Sequence, residues 1–238
     1  MKIAVCIVAL NNYYQTRYCI ENLFDKAKMP LSLYLFTNSA TDLRLLDYCI
    51  NLCRDTGHTH IHKSHILTRA GGKNTMLKEV KEEYICIFPA DYLVSNDWEQ
   101  ELYYNAVNID NAGVLSIRNG KENLVLTSFL HRSESGEDYM DNAWLPADKG
   151  YINGLMFFNK KVVDEIGYFD EDMSMYGFDE DDFIVRANAV GFNNFYIRKQ
   201  TAIKVCKQEA VKKTQETYKI FKDNVNTMFK TNNYKKCQ

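Results

Sequence analysis

Residues 3–9, Ile-Ala-Val-Cys-Ile-Val-Ala, form an unbroken apolar, β-rich run. A strand with no polar alternation must be covered on both faces, which calls for a sheet with helices packed on either side. The sequence that follows supplies them. Residues 14–28 read as a helix that stops before Pro30, and 31–37 as a second strand. A helix over 41–54 is opened by a Thr/Asp cap and ends near Gly57, before a short third strand at 58–62. A third helix is expected over 73–82 and a fourth strand over 84–88, stopped by Pro89. Alternation of this kind predicts βαβ units and a mainly parallel sheet, whose ligands bind beyond the carboxyl ends of the strands. The polar residues just after each strand therefore matter most: Asn11 and Asn12, Asn38 and Ser39, and Asp91.

The second half is less regular. Strands are expected at 113–117, 124–130 and 153–158, and a short helix over 160–166 is closed by Gly167. Residues 133–150 read as a loop with Trp144 as its one large apolar side chain, and 207–229 as a helix with an apolar stripe of Tyr218, Phe221, Val225 and Met228. At 238 residues the chain has ample length for a buried core. No apolar run approaches the roughly 20 residues that span a bilayer, so no transmembrane segment is expected. The first ten residues read as a strand and not as a signal peptide.

Seven cysteines form an odd set without zinc-type spacing, and this points to a reducing, cytoplasmic setting. Cys49 and Cys53, four apart on a helix, read as core residues. His58, His60 and His62 alternate at strand spacing and share a face, but no carboxylate or cysteine accompanies them locally, so an exposed strand is the expectation. Charge is uneven. Nine lysines face three acids in 204–238, although the whole chain carries −2. A basic tail of this kind suits contact with an anionic surface, and a solvated helix face is the alternative.

Four carboxylates, Asp179, Glu180, Asp181 and Asp182, follow Gly177-Phe178 and lead into an apolar-periodic segment closed by Gly191. Acids at a helix entrance are stabilised by its free N–H groups, and crowded like charges favour one group able to take a proton. Alone, this pattern reads first as a capped, solvated surface helix. Asp91, after the strand Ile85-Cys86-Ile87-Phe88, stands where a carboxylate can ligate a hard divalent cation.

These segments together resemble the nucleotide-sugar-dependent glycosyltransferases of the GT-A fold, particularly glycosyltransferase family 2. Phe88-Pro89-Ala90-Asp91-Tyr92-Leu93 stands where that family has a strand followed by Asp-x-Asp, with Asp91 matching the second aspartate and Pro89 replacing the first. Asn153-Gly154-Leu155-Met156-Phe157-Phe158, then Gly167-Tyr168-Phe169-Asp170 and Tyr176-Gly177-Phe178-Asp179-Glu180-Asp181-Asp182, resembles its strand, helix and acidic run. The last of these is also similar to the Gly-Glu-Asp-x-Asp region of the β-1,4-galactosyltransferases, with the acid order inverted.

The resemblance implies an α/β, GT-A (Rossmann-like) domain over 1–206, with a nucleotide-binding half at 1–110 and an acceptor-binding half at 111–206, followed by a basic tail at 207–238. It implies inverting transfer of a sugar from a nucleotide-diphosphate sugar to an acceptor hydroxyl. Glu180 or Asp179 would be the base. Leu10, Asn11, Asn38, Arg69, Lys73, Asn74, Ala90, Asp91 and Gly154 would bind the nucleotide sugar, with Arg69 or Lys73 neutralising the diphosphate. Trp144, Tyr176 and Asp179 would meet the acceptor, and Asp91 would hold Mn2+ or Mg2+. The acceptor implied is a glycan or glycolipid, and the basic tail leaves room for a modified nucleic acid. Rival readings are a catalytically inactive carbohydrate- or nucleotide-binding module on the same fold and a nucleotidyltransferase. The latter is disfavoured because Leu10-Asn11-Asn12-Tyr13 follows the first strand in place of a glycine-rich basic loop.

Overall fold

The computed structural model describes residues 1–10, 13–65, 67–119, 141–142, 155–172 and 178–204. Its first strand, β1 (Ile3–Val8), is as buried as its composition demands, with Ile3 through Ile7 fully enclosed. On one side pair β2 (Leu31–Asn38) and then β3 (Thr59–Lys63), and on the other β4 (Tyr84–Ile87). The sheet continues through β8 (Met156–Asn159), β6 (Ala112–Asn119), β9 (Asn193–Lys204) and β5 (Tyr92–Val94), with β7 (Asp141–Asn142) beside β9. The pairings set β1, β2, β3, β4, β6 and β9 in one direction, and β5, β7 and β8 against it. The sheet is thus mixed and mainly parallel.

Alternate residues of β1 serve two cores, which is why the run carries no polar position. Ile3, Val5 and Ile7 pack with Ile20 and Leu23 of α1 (Tyr13–Lys26), Leu45, Cys49 and Cys53 of α2 (Leu43–Thr56), and Trp98 and Leu102 of α4 (Trp98–Asn108). Ala4 and Cys6 face the other way. They join Ala70 and Met76 of α3 (Arg69–Leu77), Val162 and Ile166 of α5 (Lys161–Ile166), and Phe183 and Ala187 of α6 (Asp179–Ala189). The expected caps are present. Asp42 accepts from the N–H groups of Arg44 and Leu45, and Gly57 ends α2 at φ 70°. Cys49 and Cys53 are core residues, and burial pushes their thiols up to about 12 and about 11. Among the described residues no helix is long and apolar enough to cross a membrane.

Several elements differ from expectation. The third helix spans Arg69–Leu77 and not 73–82, because the Thr68 hydroxyl caps the Gly71 N–H one turn upstream. The glycine pair that weakens it as a helix is what lets it approach the sheet. A Cβ on Gly72 would stand 2.9 Å from Phe36 Cδ1. Residues 92–94, 98–108 and 193–204, left unassigned by the sequence reading, form β5, α4 and β9. The expected strand at 124–130 and helix at 207–229 lie outside the described residues, as does nearly all of the loop at 133–150.

Candidate functional site

The carboxyl ends of β1, β2, β3 and β4 share one edge of the sheet. Because β8 is antiparallel to β4, with Ile87 opposite Met156, β8 begins at that same edge. β9 starts beside the start of β6, Asn193 opposite Ala112, so α6, which leads into it, descends from the carboxyl edge and opens there. Topology alone therefore gathers Leu10, Asn38, Ala90, Asp91, the start of α3 and the acids of α6 along one rim.

Arg69 and Lys73 are four residues apart on α3, so both side chains leave the same face of the helix, and that face meets the start of α6. Lys73 Nζ donates to Asp179 Oδ2 at 2.7 Å and to Glu180 Oε1 at 2.6 Å, and Arg69 stands 3.6 Å from the same Glu180 oxygen. The Lys73 side chain is only 2% exposed, and the Phe169 ring lies 4.7 Å from its ammonium. Burial raises the proton affinity of Asp179. The charges of Lys73 and Arg69, with hydrogen bonds from Lys73 and the residue's own backbone N–H, outweigh it and hold the carboxyl below the ordinary value of 3.8. The residue before these acids, Phe178, sits at φ 67°, a left-handed conformation that costs an aromatic side chain about 1–2 kcal/mol.

The other two acids of the cluster do different work or face elsewhere. Asp182 accepts from Arg186 Nε at 2.8 Å, and the same guanidinium donates to the carbonyls of Ile166 (2.7 Å) and Tyr168 (2.8 Å). It ties α6 to α5 and to the segment that precedes it. Asp181 is 4% exposed, on the buried side of the helix.

Asn74, placed by the sequence reading with the nucleotide, spends its amide inside the protein. It donates to the Phe169 carbonyl and to Glu171 Oε1, and accepts from the Phe169 N–H. Asn38 closes the turn after β2: its Oδ1 accepts from Ala40 N–H, while its buried Nδ2 has no hydrogen-bond partner among the described residues. Leu10 offers its carbonyl to Asp42 N–H at 3.3 Å. Ala90 and Asp91, between β4 and β5, are half-buried. Asn11, Trp144, Gly154 and Tyr176 lie outside the described residues.

Asp91 gives one hard oxygen donor for a divalent cation, and the described residues bring no group of three or more His, Cys, Asp or Glu together that could hold one. A single carboxylate suits a Mn2+ or Mg2+ ion that arrives with phosphate oxygens and waters completing its shell, so Asp91 fits that role. The histidines of β3 and His58 just before it are engaged otherwise, and the strand is half-buried at 59–61 and not exposed throughout. His60 Nε2 and His62 Nδ1 both meet Thr37 Oγ1, at 2.8 and 3.0 Å, and His58 Nδ1 accepts from Leu33 N–H.

What the local sequence did not reveal is the partner of the acids. Lys73 lies 106 residues before Asp179, and a third helix expected to begin at 73 left Arg69 outside it, so the four-residue spacing that puts both cations on one face of α3 was hidden.

No family model matches this chain, and no curated protein matches its sequence. Solved structures do match its fold. The mannosyltransferase PcManGT from Pyrobaculum calidifontis, in complex with GDP-Man and Mn2+, superposes with a TM-score of 0.68 at 13% identity, over 98% of this chain and 65% of its own. Residues 1–349 of S. aureus TarS with UDP-GlcNAc give 0.66 at 13% identity, over 92% of this chain and 64% of that one. GalNAc-T7 with UDP, GalNAc and Mn2+ gives 0.73 at 11% identity, over 94% of this chain and 48% of its own. The chain thus spans about half to two thirds of the length of these proteins. Its fold is the GT-A fold of glycosyltransferases.

Proposed function

We propose that this chain is an inverting glycosyltransferase that moves a sugar from a nucleotide-diphosphate sugar to an acceptor hydroxyl. The observation that carries the reading is the pair of largely buried carboxylates, Asp179 and Glu180, opening α6 on the same edge of the sheet as Asp91 and Asn38. The GT-A likeness supports a sugar-nucleotide donor lying along that edge.

In this reading Glu180 takes the proton of the acceptor hydroxyl while that oxygen attacks the anomeric carbon and the bond from that carbon to the diphosphate breaks. Asp179, deeper and fixed by Lys73, orients the acceptor or serves as the alternative base. Arg69 offers the guanidinium that remains partly open to solvent and can meet a phosphate oxygen. Asp91 would hold Mn2+ or Mg2+, which when bound offsets charge on the departing diphosphate. Leu10, Asn38 and Ala90 line the rim for the nucleoside, and residues 1–110 form the donor half of the domain. The acceptor is a glycan, a glycolipid or a modified nucleic acid, with the basic tail at 207–238 available to an anionic surface.

A panel of sugar nucleotides, screened for thermal stabilisation with and without Mn2+, identifies the donor. With the donor in hand, Glu180→Gln should abolish transfer and leave nucleotide affinity unchanged. Full turnover in both Glu180→Gln and Asp179→Asn would overturn the assignment. Asp91→Ala should weaken the metal-dependent part of nucleotide binding, and an affinity indifferent to divalent ions would remove the metal from the scheme. Pro89, standing where the resembling family has an acid, favours a second reading as a binding module. Sugar-nucleotide binding without transfer or slow donor hydrolysis would support that second reading.

A further inference from the structure

We propose that Lys73 is the positioning residue of the acidic helix: its buried ammonium holds Asp179 and Glu180 side by side and releases Glu180 to the acceptor hydroxyl while staying paired with Asp179. This deepens the glycosyltransferase reading and rests on its assignment of Glu180 as proton acceptor. It also moves Lys73 away from the donor's diphosphate, where the sequence placed it.

The geometry separates the two tasks. A phosphate would have to reach an ammonium whose side chain is 2% exposed, which already donates to two carboxylates and is flanked by the Phe169 ring. Arg69 is the cation with surface left for an anion: its side chain is 31% exposed and its contact with Glu180 is the longer one, 3.6 Å. The two acids also differ. The Asp179 side chain is 7% exposed and that of Glu180 15%, so Glu180 is the outer member, the one an incoming hydroxyl meets.

The charge balance supports the handover. As the acceptor O–H bond breaks, its proton forms an O–H bond on Glu180, and the electron pair left on the acceptor oxygen makes the new bond to the anomeric carbon. The electron pair of the breaking carbon–oxygen bond leaves with the diphosphate. Glu180, now neutral, no longer attracts the ammonium, and Lys73 and Asp179 remain as a one-to-one pair. The lowered proton affinity of Asp179 is consistent with that pairing. Among the described residues, the other charged groups on the elements packed around the pair are Arg69 on α3, Asp170 and Glu171 on the segment before α6, and Asp181, Asp182 and Arg186 on α6. β1 presents Val8 and the Cys6 thiol to the side of the sheet that α3 covers, and β2 presents Phe36 and the Tyr34 phenol; burial pushes the thiol and the phenol up, away from the acidic range.

The test uses Lys73→Met and the double variant Lys73→Met/Asp179→Asn. Without the ammonium two like charges face each other in a buried place, so the carboxylate pair takes up a proton at higher pH. The acidic limb of kcat/KM should move up by about one pH unit or more, with the KM for the donor unchanged within about twofold. The limb should return in the double variant, where one of the two charges is gone. A donor KM raised tenfold with an unmoved limb would make Lys73 a diphosphate contact, and an equal loss at every pH would make it merely structural. Either result overturns the proposal.

A second measurement needs no turnover. The denaturant midpoint of Lys73→Met should begin to change with pH at least about one unit above that of the parent, and coincident pH profiles overturn the proposal. If Glu180→Gln still transfers sugar but the midpoint profiles separate, the choice of base fails and the pairing by Lys73 stands. If Glu180→Gln is dead and the profiles coincide, the pairing fails and the base stands.

Discussion

Asn74→Asp changes one atom of a buried side chain and leaves its shape intact, so it isolates what the amide does. Asn74 Nδ2 donates to the Phe169 carbonyl at 2.9 Å and to Glu171 Oε1 at 2.8 Å, and its Oδ1 accepts from Phe169 N–H at 2.9 Å. The side chain is 3% exposed, and water does not replace what is lost. The aspartate keeps the last bond and sets an oxygen against a carbonyl and a carboxylate. One neutral hydrogen bond is worth about 1 kcal/mol and one to a charged group about 1.5–3 kcal/mol, so the loss, with the new repulsion, comes to roughly 3–5 kcal/mol. In a domain of this size that lowers Tm by roughly 6–20 °C. Guanidinium unfolding should show a lower midpoint at an unchanged m-value. Asn159→Asp is the control: the same change beside Glu83 Oε1, at an exposed bond of 2.9 Å, should cost under about 1 kcal/mol. If Asn74→Asp proves as stable as Asn159→Asp, the idea that this amide pins the Phe169 segment to α3 is wrong.

Gly72→Ala would place a methyl 2.9 Å from Phe36 Cδ1 and 3.3 Å from Val8 Cγ2, so it should destabilise by about 1–3 kcal/mol in spite of alanine's better helix propensity. Gly57→Ala meets no atom within 4 Å, and its cost of about 1 kcal/mol should come from φ 70° alone; thermal unfolding of the pair checks both. Arg186→Met removes the cation from a buried Asp182 and the donor from two carbonyls, for a loss of about 3–5 kcal/mol that Asp182→Asn should partly restore. The low folded-state proton affinity of Asp179 means its contribution to stability is complete above 3.8 and is lost as pH falls through its lower native value. Unfolding measured from pH 6 down to pH 2.5 should show this loss in the parent and not in Asp179→Asn.

Local pattern carried much of the fold. The two-sided burial of residues 3–9, the Asp42 cap and the left-handed Gly57 each follow from side chains within a few positions of one another. The misses share a cause. α4 opens at Asp97, which has φ 61° and makes no side-chain cap bond, and its buried side carries Glu99 and Asn105 beside Trp98 and Leu102, so neither a start signal nor a clean apolar stripe marks it. Glu99 is buried because Oε1 receives the N–H groups of Lys28 and Met29, some seventy residues away in sequence. β9 was missed because residues 193–204 mix amides and charges with only scattered apolar positions. In the site, the acids at 179–182 were visible as a cluster, but their partners were not. Asp182 finds Arg186 at helical spacing, whereas Asp179 and Glu180 find Lys73 across the fold.

That split also decides how the cluster can act. Four neighbouring carboxylates on one helix cannot all stay ionised without nearby positive charge. The chain divides the task by direction around the helix: Arg186 serves the acid that faces α5, and Arg69 and Lys73 serve those that face α3. Each cation is held by its own neighbourhood, Arg186 by the Ile166 and Tyr168 carbonyls and Lys73 by close burial against the Phe169 ring. Phe169 in turn stacks on Phe183 of α6 at 4.5 Å and its N–H donates to Asn74, so ring stacking and hydrogen bonding tie α3, the Phe169 segment and α6 into one packed body. A carboxylate carried by such a body keeps its place when a neighbour changes charge. In the proposed reaction, proton transfer to Glu180 would then proceed with little rearrangement of its surroundings, as preorganised catalysis requires.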